Sequence, residues 1–127
     1  MRTPALAARY AAEFNLPFVD EATTQAQFAR VRNACEEVGR DPDSLVYSNA
    51  LVVCCGSTEA EVDRRAAAIG RSSTELREHG LAGSPQEVLD KIGRYAELGA
   101  QRIYLQVLDL HDLDHVELLA TEVMPHL

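Results

Sequence analysis

Helical and strand-like segments alternate along this chain, and its longest strand-like segment carries no polar face. Leu45 to Cys55 (LVYSNALVVCC) is apolar and β-branched on successive residues. A strand of that kind is covered on both sides, as in a parallel sheet. Arg102 to Leu108 (RIYLQVL) reads the same way, and Glu13 to Phe18 (EFNLPF) is a shorter strand whose Pro17 limits it to an end or an edge.

Helical patterns fill the intervals. Thr3-Pro4 reads as a cap followed by a first-turn proline, with Leu6, Tyr10 and Phe14 on one face. Thr24 and Gln27 form a capping box, Phe28, Val31, Cys35 and Val38 a stripe, and Gly39 a stop. Arg40 to Ser44 reads as a loop. Gly56-Ser57 ends the long strand and starts a helix with Val62, Ala66 and Ile69 inward. Gly70 to Gly80 is polar, with room for one short helix around Thr74 to Glu78. Ser84-Pro85-Gln86-Glu87 opens a further helix with Val88, Ile92, Tyr95 and Ala96 inward, ended by Gly99. Asp114 and Glu117 cap a last helix with Val116, Leu119 and Val123 inward.

The predicted order, with helices and strands alternating, implies right-handed crossovers and a parallel sheet. Only three strands are predicted, and the first follows a helix. Three parallel strands leave two open edges on a largely apolar sheet. The expectation is therefore an α/β chain that forms part of a larger sheet or barrel. Length alone suggests otherwise, since 127 residues match one ordinary domain.

Composition narrows the function. Twelve basic and twenty acidic residues give a net charge of −8, and no basic cluster exists to meet nucleic-acid phosphates or an anionic membrane. From Ile103 to Leu127 there are five acids and no Lys or Arg. No run of about 18 apolar residues suggests a membrane span. Cys35, Cys54 and Cys55 make a poor disulfide framework and read as buried thiols. No secretory signal is apparent at the N-terminus, so a reducing, cytoplasmic setting is expected. His111 and His115 stand four apart among acids, but Asp114 between them reads as a helix cap, so no metal site is expected. No Ser-His-Asp, H-E-x-x-H or Walker pattern occurs.

One resemblance covers essentially the whole chain. Gly83-Ser84-Pro85-Gln86-Glu87-Val88, then Tyr95-Ala96-Glu97-Leu98-Gly99, then the apolar run Ile103 to Val107, is similar to the end of luciferase-like oxidoreductases. Arg2 to Asn15 (RTPALAARYAAEFN) resembles another stretch of that family, with Ala12 where Asp is usual. Arg30 to Leu45 resembles the helix and loop that follow. The likeness is strongest to the subgroup that uses the deazaflavin coenzyme F-420.

The resemblance implies the C-terminal portion of a (β/α)8 TIM barrel, residues 1–127 forming one partial domain with about the last three strands. It implies hydride transfer with F-420 or, alternatively, FMN on a small-molecule substrate. The family's glycine-rich phosphate loop would fall before Met1, so a truncated form that is inactive alone is expected. The residues it suggests for the cofactor are Arg2 and Thr3 beside that loop, Asn15 near the end of the first strand, Arg71 in the polar segment, and Gly83 and Ser84 at a helix start. Each also has a plain structural reading: a frayed terminus, a satisfied loop amide, an exposed arginine, a helix cap. Gln106 and Asp109 stand at the end of the last strand and could face a barrel mouth. The catalytic residues and the substrate are not identified by the likeness. A second reading is a non-catalytic half-barrel that forms a homo-oligomer or pairs with a partner chain. A small independent α/β binding domain is the third, and it needs a cover for the sheet edges.

Overall fold

A computed structural model describes residues 2–127. Its elements are α1 (Arg2–Tyr10), β1 (Glu13–Pro17), α2 (Glu21–Glu37), β2 (Val46–Cys55), α3 (Glu59–Ala68), α4 (Ser73–His79), β3 (Leu81–Gly83), α5 (Pro85–Glu97), β4 (Arg102–Gln106) and α6 (Leu113–Leu118). A π turn at Leu119–Val123 and a 3-10 turn at Met124–His126 continue α6 to the C-terminal end.

All strand pairs are parallel, as the buried apolar pattern of β2 requires. β2 is the centre. Ser48 aligns with Asn15 of β1 on one flank and with Arg102 of β4 on the other. β3 pairs with the C-terminal end of β2 through Val53 to Cys55. It is a fourth strand where the sequence pattern gives three. Three residues are too few to show a periodicity, which is why it reads as part of a loop.

Side-chain alternation divides the sheet into two faces. Phe14, Tyr47, Leu51, Val53 and Cys55 point to one face, where α2 and α5 add Phe28, Val31, Cys35, Val88, Ile92 and Tyr95. This is the main core. Each large apolar side chain buried there contributes about 1.5–3 kcal/mol. Phe28 meets the Tyr47 ring edge-on at 5.1 Å, and the Arg32 guanidinium lies 4.8 Å over the same ring.

The other face carries Val52 and Cys54, covered by Val62, Ala66 and Leu76 of α3 and α4 and by Ala82. This cover reaches only the C-terminal end of β2. Lower on the same face the sheet is open, and Asn15, Arg102 and Tyr104 are exposed. β4 is therefore one-sided, with Arg102, Tyr104 and Gln106 outward and Ile103 and Leu105 toward the core. That corrects the expectation of a strand apolar on both faces.

Helix starts also differ from expectation. Asp20 caps α2 by accepting the Thr23 N–H, while Thr24 is fully buried. Thr58 caps α3 and Asp112 caps α6. In α1 the buried residues are Pro4, Ala7 and Ala8, so Leu6 and Tyr10 face outward, 55% and 78% exposed. In α6 it is His115 that turns inward, and Val116 is exposed. The capping box of α5 forms as predicted, with Ser84 and Glu87 bonded reciprocally.

Candidate functional site

Three places offer chemistry: the open sheet face, the C-terminal end of β2, and an outer groove. On the open face the register brings Glu13, Asn15, Ser48, Arg102 and Tyr104 together, because cross-strand neighbours share a face. The Glu13 carboxylate accepts from Ser48 Oγ at 2.6 Å, Tyr104 Oη at 3.0 Å and Arg102 Nη1 at 2.7 Å. Asn15 Nδ2 donates to Ser48 Oγ at 2.9 Å. The Ser48 hydroxyl, with Tyr104 and Arg102, holds Glu13 below the usual carboxylate range. Glu13 is thus an ionised anchor near neutral pH and no proton donor. The cluster offers hydrogen-bonding groups to a polar ligand across an open face.

At the end of β2 a second network closes on itself. Cys55 N–H donates to His115 Nε2 at 3.0 Å, and Cys55 C=O accepts from Arg65 Nη1 at 2.8 Å. Arg65 Nε donates to Asp112 Oδ2 at 2.8 Å, and Asp112 Oδ1 accepts the His115 N–H at 3.0 Å. Burial, and then the nearby Arg65 charge, lowers the His115 pKa, so the ring is neutral and its Nε2 is free to accept. The Arg65 hydrogen bond holds Asp112 ionised. The cavity among these groups is about 10 Å³, no larger than one water needs. Burial raises both adjacent thiols, Cys55 to about 11, so neither is a ready nucleophile. This network has the character of a structural clasp.

The third place is a groove of about 890 Å³ between α5, the start of β4 and the C-terminal residues Glu122, His126 and Leu127. It runs along α5 on the outer side of the sheet, from Ser84 and Pro85 just after β3 to Arg102 and Ile103 at the N-terminal end of β4.

The suggested cofactor residues are dispersed. Arg2 and Thr3 are exposed in the first turn of α1. Asn15 is exposed on the open face. Arg71 is exposed, with Nη1 4.0 Å from Glu75 Oε1. Gly83 is buried with φ +127°, and Ser84 is the cap of α5. The Ser84 N–H donates to Glu87 Oε2 at 2.7 Å, so a carboxylate already stands at that helix start. Of the two strand-end residues, Gln106 is exposed, and Asp109 accepts the His111 N–H at 3.1 Å. His111 is exposed, while His115 is buried with Nε2 on the Cys55 N–H, and no group of three or more metal-ligating side chains exists among the described residues. Glu13, Ser48, Arg102 and Tyr104 were not singled out from the sequence. Their signal was present as polar residues at alternate strand positions.

No protein-family model matches the chain, and no curated protein does. Solved structures do. The coenzyme F-420-dependent tetrahydromethanopterin reductase of Methanopyrus kandleri superposes with a TM-score of 0.75 at 15% identity, over 98% of this chain and 48% of its own. An F-420-dependent secondary alcohol dehydrogenase gives 0.80 at 12% identity, over 98% and 46%. The EDTA monooxygenase of Chelativorans sp. BNC1 gives 0.73 at 20% identity, over 96% and 43%. The chain spans just under half the length of these enzymes. No helix among the described residues is long and apolar enough to cross a membrane. The backbone of this chain follows just under half of each of these enzymes, and its parallel strands alternating with helices have the fold of part of a (β/α)8 barrel.

Proposed function

We propose that this chain is part of an oxidoreductase that transfers a hydride with coenzyme F-420, or with FMN as the alternative cofactor. The observation that supports this most is the superposition, over nearly the whole chain, on two enzymes described as F-420-dependent. The cofactor supplies the hydride chemistry, and the protein binds it, orients it and excludes water.

The residues present fit part of that task. Asn15 gives the open face an exposed amide beside the central strand, held in place by the buried Ser48 hydroxyl. Arg2, Thr3 and Arg71 are exposed polar groups able to meet a phosphate. Gly83 and Ser84 contribute backbone shape more than N–H groups, because Glu87 already takes the Ser84 N–H. The site in this chain is incomplete, since the chain spans under half of such a barrel.

The test is a titration of the chain with coenzyme F-420 followed by its fluorescence, and with FMN in parallel. The expected result is weak saturable binding without turnover, weakened further in Asn15→Ala and Arg71→Ala. Tight one-to-one binding with turnover would contradict a partial site. Absence of binding at millimolar cofactor would contradict the cofactor reading itself.

A further inference from the structure

The two flanks of the sheet differ in a way that makes them complementary. On one flank the outer edge of β1 has no strand partner among the described residues, and on the other neither has the outer edge of β4. Both flanks expose large apolar side chains. Beside β1 these are Leu6, Tyr10 and Phe18, and after β4 they are Leu108, Leu110, Leu113 and Val116.

Their charges are opposite. The helix α1, which leads into β1 and packs on α2, holds Arg2 and Arg9 and no acid, and neither arginine has an ion-pair partner among the described residues. The segment after β4 holds Asp114, Glu117 and Glu122, exposed and also without ion pairs there, and no Lys or Arg. An edge with unpaired backbone and exposed apolar side chains is a template for pairing with another chain, and the charges beside it decide which edge it meets.

We propose that a second copy of this chain covers these edges, the β4 flank of one copy meeting the β1 flank of the other. A two-fold axis parallel to the strands keeps every strand parallel and repeats the same contact twice, so the assembly closes as a dimer. Each contact then sets the basic α1 of one copy near the acidic C-terminal segment of its partner. Pairing β4 with β4 would set acid against acid, and pairing β1 with β1 would set arginine against arginine. The inference stands on the sheet edges and their charges. It is independent of which cofactor, if any, is bound.

Sedimentation velocity of the full chain tests it. The native chain is expected to sediment at twice the 14.0 kDa of one chain at micromolar concentration. Arg9→Glu and the double variant Glu117→Arg/Glu122→Arg each place like charges at both contacts. Each alone is expected to dissociate at least tenfold more readily. Mixed together they restore opposite charges at both contacts, and a heterodimer of the two variants is expected. A native monomer throughout would overturn the proposal. So would a native dimer that neither variant weakens, or one that mixing does not restore. Circular dichroism checks that each variant folds, and Arg9→Ala and Glu117→Ala/Glu122→Ala replace any that do not, each then weakening the native dimer without a rescue on mixing.

Discussion

The imidazole of His115 accepts the backbone N–H of Cys55 at 3.0 Å, across 60 residues of sequence. β4 ends its pairing with β2 at Val52, three residues short of Cys55. His115 and Arg65 take the place of a neighbouring strand there, one for the N–H and one for the C=O. A side chain thus ties the C-terminal helix to the centre of the sheet. His115→Ala is expected to lower stability by about 1–3 kcal/mol, the cost of a buried donor left without a partner. Urea unfolding of the two proteins measures it. Arg65→Met should cost about 3–5 kcal/mol, because it leaves Asp112 and the Cys55 carbonyl without their partner in a largely buried site.

The same contact sets a pH dependence. The His115 pKa is lowered by burial and by Arg65 from an ordinary value of 6.5. Below 6.5 the unfolded chain takes up a proton that the folded chain resists, so stability falls as pH drops through that window. The fall levels off once pH passes the lowered folded value. Asp112 acts separately. Its pKa is lowered from 3.8, so its contribution is present above that value and is lost at more acid pH. Stability measured in steps from pH 7 to pH 5 should decline in the native chain. The decline should be smaller in His115→Leu.

Gly83 is held by its neighbours as well as by its φ of +127°. A Cβ there would meet the Glu87 carboxylate and stand 3.0 Å from Arg77 Nη1. Gly83→Ala should therefore cost about 1–3 kcal/mol, most of it from backbone strain. Glu87→Ala removes the acceptor of the Ser84 N–H and should cost about 0.5–2 kcal/mol. Thermal unfolding ranks the two.

Asn49 is fully buried beneath α2 and donates from Nδ2 to Thr24 Oγ1 at 2.9 Å, while its Oδ1 has no partner. Thr24→Val leaves the amide with no hydrogen bond at all and should destabilise by about 1–3 kcal/mol. Replacing both partners, as Thr24→Val with Asn49→Leu, should recover much of that loss. A double-mutant cycle from chemical unfolding reads the coupling directly.

The order of helices and strands was readable because the hydrophobic pattern and the Ser84 capping box are local signals. β2 is buried on both faces, α5 starts at Ser84 with its box, and Phe28, Val31 and Cys35 line the core. Other features depend on partners distant in sequence. Arg65, Lys91 and His115 are buried, yet their residue types read as surface. Lys91 goes inside because its Nζ donates to the carbonyls of Arg77 and Glu78 at the end of α4. The stripe of Leu6 and Tyr10 has helical spacing but faces outward, since α1 packs through Ala7 and Ala8. The Glu13 cluster exists only once β1, β2 and β4 are in register, so its members were legible singly and not as a group.

The most direct measurement of the central claim is a backbone-amide NMR titration of the chain with coenzyme F-420. The open-face reading predicts shifts at Glu13, Asn15, Ser48 and Tyr104 that grow with cofactor concentration. Shifts confined to the outer groove around Asp90, Ile103 and Leu127, or absent throughout, would contradict it.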